Sequence, residues 1–233
     1  MMRKFLLITC AGLVLWSSCA TGKPLRSDYK KDVLLQTNYG NLLLRLSDLT
    51  PQHRDNFIKL VKSRYYNGVL FHRVIRNFMI QSGDPDSRHA AGGQSLGNGG
   101  PAYMIPAEFN TQLFHRKGAL AAAREGDAVN PQKASSGSQF YIVQGKVWTA
   151  GALDTLDVKR LNGRKIPSAA REVYTTIGGT PHLDQNYTVF GQLIRGYEVL
   201  DKIAAVPTSK GKDHDRPIWN VRIIKAKMVK RTL

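Results

Sequence analysis

The sequence predicts a mainly β domain, a closed barrel or a sandwich, and three observations predict it. Short apolar segments recur along the chain, turns rich in Gly and Asn separate them, and few stretches carry helical periodicity. With 233 residues, 42% of them hydrophobic and 22% charged, the chain can build one good core with room for an elaboration.

The elements follow in order. VLLQT (33–37) and NLLLRL (41–46) flank Asn38-Tyr39-Gly40, a hairpin pattern. Thr50-Pro51 supplies an N-cap and a first-turn Pro, and Phe57, Leu60 and Val61 form a helical stripe. Further strands are expected over 69–75, 78–82, 118–123, 139–144, 188–194 and 219–226. Between Gly145 and Gly179 the pattern turns helical: Leu153, Leu156 and Leu161 suggest one short helix. Ala170, Val173, Tyr174 and Ile177 suggest a second, opened by Pro167-Ser168 and stopped by Gly178-Gly179. Gly196, Val199, Leu200 and Ile203 mark a last helix closed by Pro207.

One strand carries an anomaly. In 69–75, Val69, Phe71, Arg73 and Ile75 alternate with Leu70, His72 and Val74, so Arg73 is expected to share a face with Phe71 and Ile75. A guanidinium among apolar groups is costly unless it is paired or used. The bland reading is an edge-strand Arg with its head in water. His72, on the other face, reads as a satisfied core or supporting His.

The N-terminus has its own signature. Arg3 and Lys4 precede the apolar run FLLITCAGLVLW, and Ser17, Ser18 and Cys19 follow, which is the pattern of a secretory signal over residues 1–18. The Cys after two Ser resembles a bacterial lipobox, with Trp16 where Leu is usual; ordinary cleavage near Ser18-Cys19-Ala20 is the alternative. Cys10 lies within the signal, so Cys19 alone remains and no intrachain disulfide can form. Cys19 is therefore expected to be the lipidation site, with residues 19–31 as anchor and tether and residues 32–233 as the domain. Ala20 is not the Asp associated with inner-membrane retention, and Lys23 and Arg26 give no acidic export signature. The expected location is the periplasmic face of the outer membrane. Loss of Arg3 and Lys4 takes the net charge from +17 to +15, which suits anionic envelope surfaces. The basic residues are scattered, and nucleic-acid binding is not expected.

Several segments then fall together. FHRVIRNFMIQSGD (71–84), GALAAAR (118–124), SSGSQFYIV (135–143) and GGTPHLDQNYTVFGQL (178–193) would set one Arg and two Gln residues at the rim of an apolar pocket. Here the sequence closely resembles the cyclophilins, over roughly 32–230. FHRVIRNFMIQSGD, GSQFYI and LDQNYTVFG carry the resemblance in the family's order. It implies a closed eight-stranded antiparallel barrel capped by two helices, peptidyl-prolyl cis–trans isomerase activity, proline-containing polypeptide substrates and no cofactor. The segment 146–178 is a helical insertion, similar to one in lipoprotein cyclophilins of some Gram-negative bacteria. The domain is expected to act as a monomer.

The resemblance also implies roles. Arg73 stands at the catalytic Arg, and Gln81 where a Gln orients it. Phe78, Met79, Tyr141, Leu183 and Tyr187 stand at pocket positions for the proline ring. Gln139 stands where a Gln faces the substrate backbone, and Ala123 and Arg124 where the peptide is held, Arg124 replacing the usual Asn. Tyr141 replaces the common Phe and Tyr187 a His. His182 replaces the Trp associated with tight cyclosporin binding, so weak cyclosporin binding is expected. Other chemistry finds little foothold. GGQSLGNGG (92–100) lacks the Lys-Ser/Thr ending of a phosphate loop, the six His residues show no metal-ligand spacing, and there is no Gly-x-Ser-x-Gly. A groove-using holdase and a purely structural envelope protein are the competing readings, and the complete rim-and-pocket set favours the enzyme.

Overall fold

The structure, a computed structural model, describes residues 23–211, 213 and 215–231. The signal segment and Cys19 lie outside the described residues. The end of the expected tether is docked: residues Asp28–Lys30 form a 3-10 turn, and buried Asp28 accepts from Lys31 and Lys62.

Eight strands form one antiparallel sheet. β1 (Lys31–Thr37) and β2 (Gly40–Leu46) make the expected hairpin. β3 (Arg73–Ile75), β4 (Met79–Ser82), β6 (Ala119–Ala122), β8 (Phe140–Val143), β9 (Val189–Arg195) and β10 (Ile223–Lys230) complete the order β10-β1-β2-β9-β6-β8-β4-β3. β5 (Met104–Ile105) and β7 (Ser135–Ser136), which the sequence pattern missed, form a small separate pair.

The expected closed barrel is corrected to a curled sheet whose strand ladder stays open between β3 and β10. The reason lies in residues 69–72, which do not extend as a strand. They approach the start of β10 through an isolated Leu70–Arg222 bridge and single bonds such as Phe71 N to Val221 O, 2.8 Å. The same irregularity turns Phe71 away from Arg73: Phe71 and Val74 enter the main core, while Ile75 packs beside the site. β10 also begins later than expected, at Ile223.

Strand alternation explains why GALAAAR is apolar throughout. Leu120, Ala122, Phe140 and Ile142 face the main core, whereas Ala119, Ala121, Ala123, Tyr141 and Val143 form a second apolar cluster on the opposite face. That second face is the floor of the site. α1 (Pro51–Lys62) and α4 (Tyr197–Ala204) pack Phe57, Ile58, Val199, Leu200 and Ile203 into the main core.

The start of α1 differs in chemistry from the expectation. Thr50 occupies the N-cap position, but its hydroxyl makes no capping bond. Glu108 caps instead, from 55 residues away: it accepts from Gln52 N at 3.1 Å and from His53 N at 3.0 Å. A carboxylate there satisfies two orphan amides and meets the positive end of the helix dipole. His53 Nδ1 lies 2.7 Å from the same carboxylate, and burial lowers the pKa of that ring.

The insertion folds as two helices, α2 (Ala150–Lys159) and α3 (Ser168–Thr176). Leu153, Leu156, Leu161, Ile166, Ala170 and Tyr174 form its own core with Phe114 and Trp148. Arg171 ties the helices by pairing with Asp154 and Asp157. Ile177 is 51% exposed and does not join the stripe expected for it. The insertion leaves the sheet at a close backbone crossing: a Cβ on Gly145 would lie 2.4 Å from Gly179 Cα, so both positions require Gly.

Candidate active site

On the second apolar face lies a pocket of about 150 Å³. Phe78, Met79, Tyr141, Leu183 and Tyr187 form its walls, and Arg73, Gln81, Ala123 and Arg124 complete the lining. The structure thus brings together every residue expected at the catalytic and substrate site except Gln139. Arg73 and Gln81 are direct cross-strand partners, as are Gln81 and Tyr141, so β3, β4 and β8 deliver them in one row. The half-buried Arg73 has no ion-pair partner among the described residues. Its donors are available to the pocket it lines.

The two Gln side chains do something other than expected. Gln81 Nε2 donates to Gln139 Oε1 at 3.1 Å, and no Gln81–Arg73 hydrogen bond forms among the described residues. Gln139 Nε2 donates to the carbonyls of Gly97 and Gly99, at 2.7 and 2.8 Å. Gln139 is therefore a strut between Gln81 and the glycine-rich loop, and it lines an adjoining cavity of about 420 Å³ that also borders Ala123 and Arg124. The loop that resembled a phosphate loop is the far wall of that cavity.

The main-chain groups of Ala123 are already paired, its N–H with Gln139 O and its C=O with Ser136 N. Arg124 acts through its side chain. Its Nε donates to Asn186 O at 2.8 Å, it pairs with Asp127 at 2.7 Å, and its guanidinium sits 4.5 Å from the Tyr187 ring centroid. The Arg that replaces Asn is a clamp on the Tyr187 wall.

The Tyr that replaces Phe is explained by residues that sequence reasoning missed. Tyr141 Oη lies 3.0 Å from His115 Nε2, and His115 Nδ1 lies 2.8 Å from Asp184 Oδ1. Tyr174 Oη, on α3, donates to Asp184 Oδ2 at 2.6 Å. All four groups are buried, and burial drives the Tyr141 and Tyr174 pKa values well up, so both hydroxyls stay protonated. A hydrogen-bonded chain thus runs from the insertion to the pocket wall.

Two histidines complete the surroundings. His182 stacks on Phe78, ring centroids 5.7 Å apart and planes 21° from parallel. Burial, reinforced by the Arg160 charge, lowers its pKa to about 4, so near neutral pH it is an uncharged aromatic wall. His72 is buried, but the satisfied role expected for it is not found: neither ring nitrogen has a hydrogen-bond partner among the described residues. Burial lowers its pKa to about 4; nearby Asp84 and the Leu70 main chain, which is close but outside hydrogen-bond geometry, oppose this while Arg73 and Arg216 add to it. Among the described residues no group of His, Cys, Asp and Glu is placed to hold a metal ion, and no helix is long and apolar enough to cross a membrane.

Comparison with known proteins agrees with this geometry. The family described as cyclophilin type peptidyl-prolyl cis-trans isomerase/CLD matches residues 33–228. A Staphylococcus epidermidis relative bearing the name peptidyl-prolyl cis-trans isomerase is 39% identical over 197 residues, 84% of this chain and 90% of the relative. A Staphylococcus aureus protein of the same name is 37% identical over 192 residues, 82% of this chain and 88% of that one. Among solved structures, a Cryptosporidium parvum cyclophilin-type isomerase superposes with a TM-score of 0.61 at 25% identity, covering 87% of this chain and 99% of that one. The same protein determined in the presence of the dipeptide Ala-Pro gives 0.60. The chain belongs to the cyclophilin-type peptidyl-prolyl cis–trans isomerase family.

Proposed function

We propose that this protein catalyses rotation about X–Pro bonds of polypeptides folding in the cell envelope, with Arg73 as the catalytic group. One observation carries the reading: a guanidinium without an ion-pair partner among the described residues lines a pocket of about 150 Å³ walled by Phe78, Met79, Tyr141, Leu183 and Tyr187. Peptide-bond rotation is slow because resonance must be broken, with a barrier of about 18–20 kcal/mol. The cis and trans ground states of X–Pro differ by only about 0.5–1 kcal/mol, so the problem is kinetic and calls for no nucleophile. In the twisted state the proline nitrogen regains its lone pair, and a donor from Arg73 strengthens only there. Phe78, Met79, Leu183 and Tyr187 hold the ring while the preceding carbonyl turns. Gln81, the strand partner of Arg73, is itself held by the bond of its amide to Gln139. The test is NMR exchange on an X–Pro peptide at substoichiometric protein, with and without chelator. Acceleration indifferent to chelator supports the reading; peptide binding without acceleration makes the protein a holdase.

The envelope setting rests on the N-terminal sequence. Arg3, Lys4, the apolar run and Ser17-Ser18-Cys19 support export and acylation of Cys19, and the basic domain supports attraction to anionic headgroups. The anchored monomer would then face the periplasm from the outer membrane. Cys19→Ser should abolish lipidation and membrane fractionation while the purified domain keeps its activity. A soluble wild-type protein whose mature N-terminus starts beyond Ala20 contradicts the anchor and leaves the isomerase reading intact.

A further inference from the structure

We propose that the helical insertion builds a second substrate groove, which takes an acidic side chain of the same polypeptide whose proline enters the Arg73 pocket. This rests on the isomerase reading and extends it to substrate choice.

A groove of about 500 Å³ lies between α2 and the segment 179–182, lined by Lys146, Trp148, Lys159, Arg160, Thr180 and His182 among others. Its charge is one-sided. None of Lys146, Lys159 and Arg160 forms an ion pair among the described residues, although other cations of the fold do: Lys117 pairs with Asp201, and Arg171, on α3, with Asp154 and Asp157. Asp154 and Asp157 of the insertion are engaged by Arg171, and its third carboxylate, Glu172, is not among the groove's lining residues, so the groove cations are left to an outside anion. Among the described residues no carboxylate lines the groove.

The groove is also shaped. Lys146 Nζ sits 4.5 Å from the Trp148 ring centroid, and the Trp148 indole N–H is anchored on Gly179 O at 2.9 Å, so one cation is held on a fixed aromatic face. Thr180 lines the same groove with a buried hydroxyl that has no hydrogen-bond partner among the described residues. A buried hydroxyl without a partner is costly, and a carboxylate or carbonyl oxygen of a ligand would satisfy it.

Position names the occupant. His182 belongs to the groove and stacks on Phe78, which belongs to the proline pocket, so one pair of rings is the partition between the two. A chain leaving the proline pocket over that partition enters the cationic groove. The ligand class is therefore an acidic stretch of the substrate polypeptide itself.

The test uses three peptides with one X–Pro bond each, flanked on both sides by Glu, Gln or Lys. Exchange catalysis and binding by calorimetry are measured for the wild type and for Lys159→Glu/Arg160→Glu, two exposed positions outside the proline pocket. The wild type is expected to favour the Glu peptide over the Gln peptide roughly tenfold in kcat/KM, from a few partly solvated ion pairs. The preference should fade at about 1 M salt, where the screening length falls to about 3 Å. The double variant should lose or reverse it while turning over the Gln peptide as before. Equal rates for Glu and Gln peptides in the wild type, or a Glu preference that survives in the variant, overturns the groove. If no peptide is turned over yet the Glu peptide still binds in a Lys159- and Arg160-dependent way, the groove stands and the isomerase reading falls.

Discussion

Tyr174 Oη donates to Asp184 Oδ2 at 2.6 Å, and this bond ties the insertion to the proline pocket, because the other oxygen of Asp184 holds His115 and His115 meets Tyr141 Oη. Tyr174→Phe removes the donor and leaves a buried carboxylate short of a partner. A stability loss of about 1–3 kcal/mol is expected, read as the urea midpoint. With Tyr141 less firmly held, KM for an X–Pro peptide should rise more than kcat falls. Unchanged stability and KM would show that the insertion and the pocket are independent.

The cap of α1 gives a second prediction. Glu108→Ala removes the acceptor of two helix amides and the partner of buried His53, and should cost about 2 kcal/mol, or about 4–8 °C in Tm. Glu108→Gln keeps an oxygen at the site and should cost less. Equal Tm values for Glu108→Ala and wild type would mean that water caps the helix as well as Glu108 does.

How much of this was legible in the sequence depends on the range of the interaction. The hairpin at Asn38-Tyr39-Gly40, the α2 stripe and the Ala170 and Tyr174 part of the α3 stripe are local patterns and appear where the pattern put them, while the pocket residues came from the family resemblance and line one pocket. The closed barrel failed because closure depends on residues 69–72, whose alternation matches a strand but whose main chain meets the start of β10 only through an isolated bridge and single bonds. The same irregularity also broke the expected company of Phe71 and Arg73. Glu108 and His53 are 55 residues apart, and His115 and Asp184 are 69 apart, so no spacing rule pairs them. A single trace was present: Tyr141 in place of Phe needed a partner for its hydroxyl, and that partner is His115.

Acid should destabilise the protein through His72. Its folded pKa, about 4, lies below the unfolded value of 6.5, so the unfolded chain binds the proton more readily. The stability tied to its neutral ring is present above pH 6.5 and is lost as pH falls from 6.5 towards 4, by up to about 3 kcal/mol. Urea midpoints measured across that window should fall more steeply for the wild type than for His72→Phe. Parallel curves would mean that His72 titrates normally in the folded protein.

The most direct measurement compares wild type, Arg73→Ala and Arg73→Lys for peptide affinity and for catalysed cis–trans exchange on one X–Pro peptide. If Arg73 acts on the twisted amide, Arg73→Ala should lower kcat by roughly 100-fold or more with little change in Kd, as for loss of a donor that matters mainly in the transition state. Arg73→Lys should recover little, because an ammonium lacks the planar fork of donors. Equal losses in affinity and rate, or a fully active Arg73→Ala, would contradict the account.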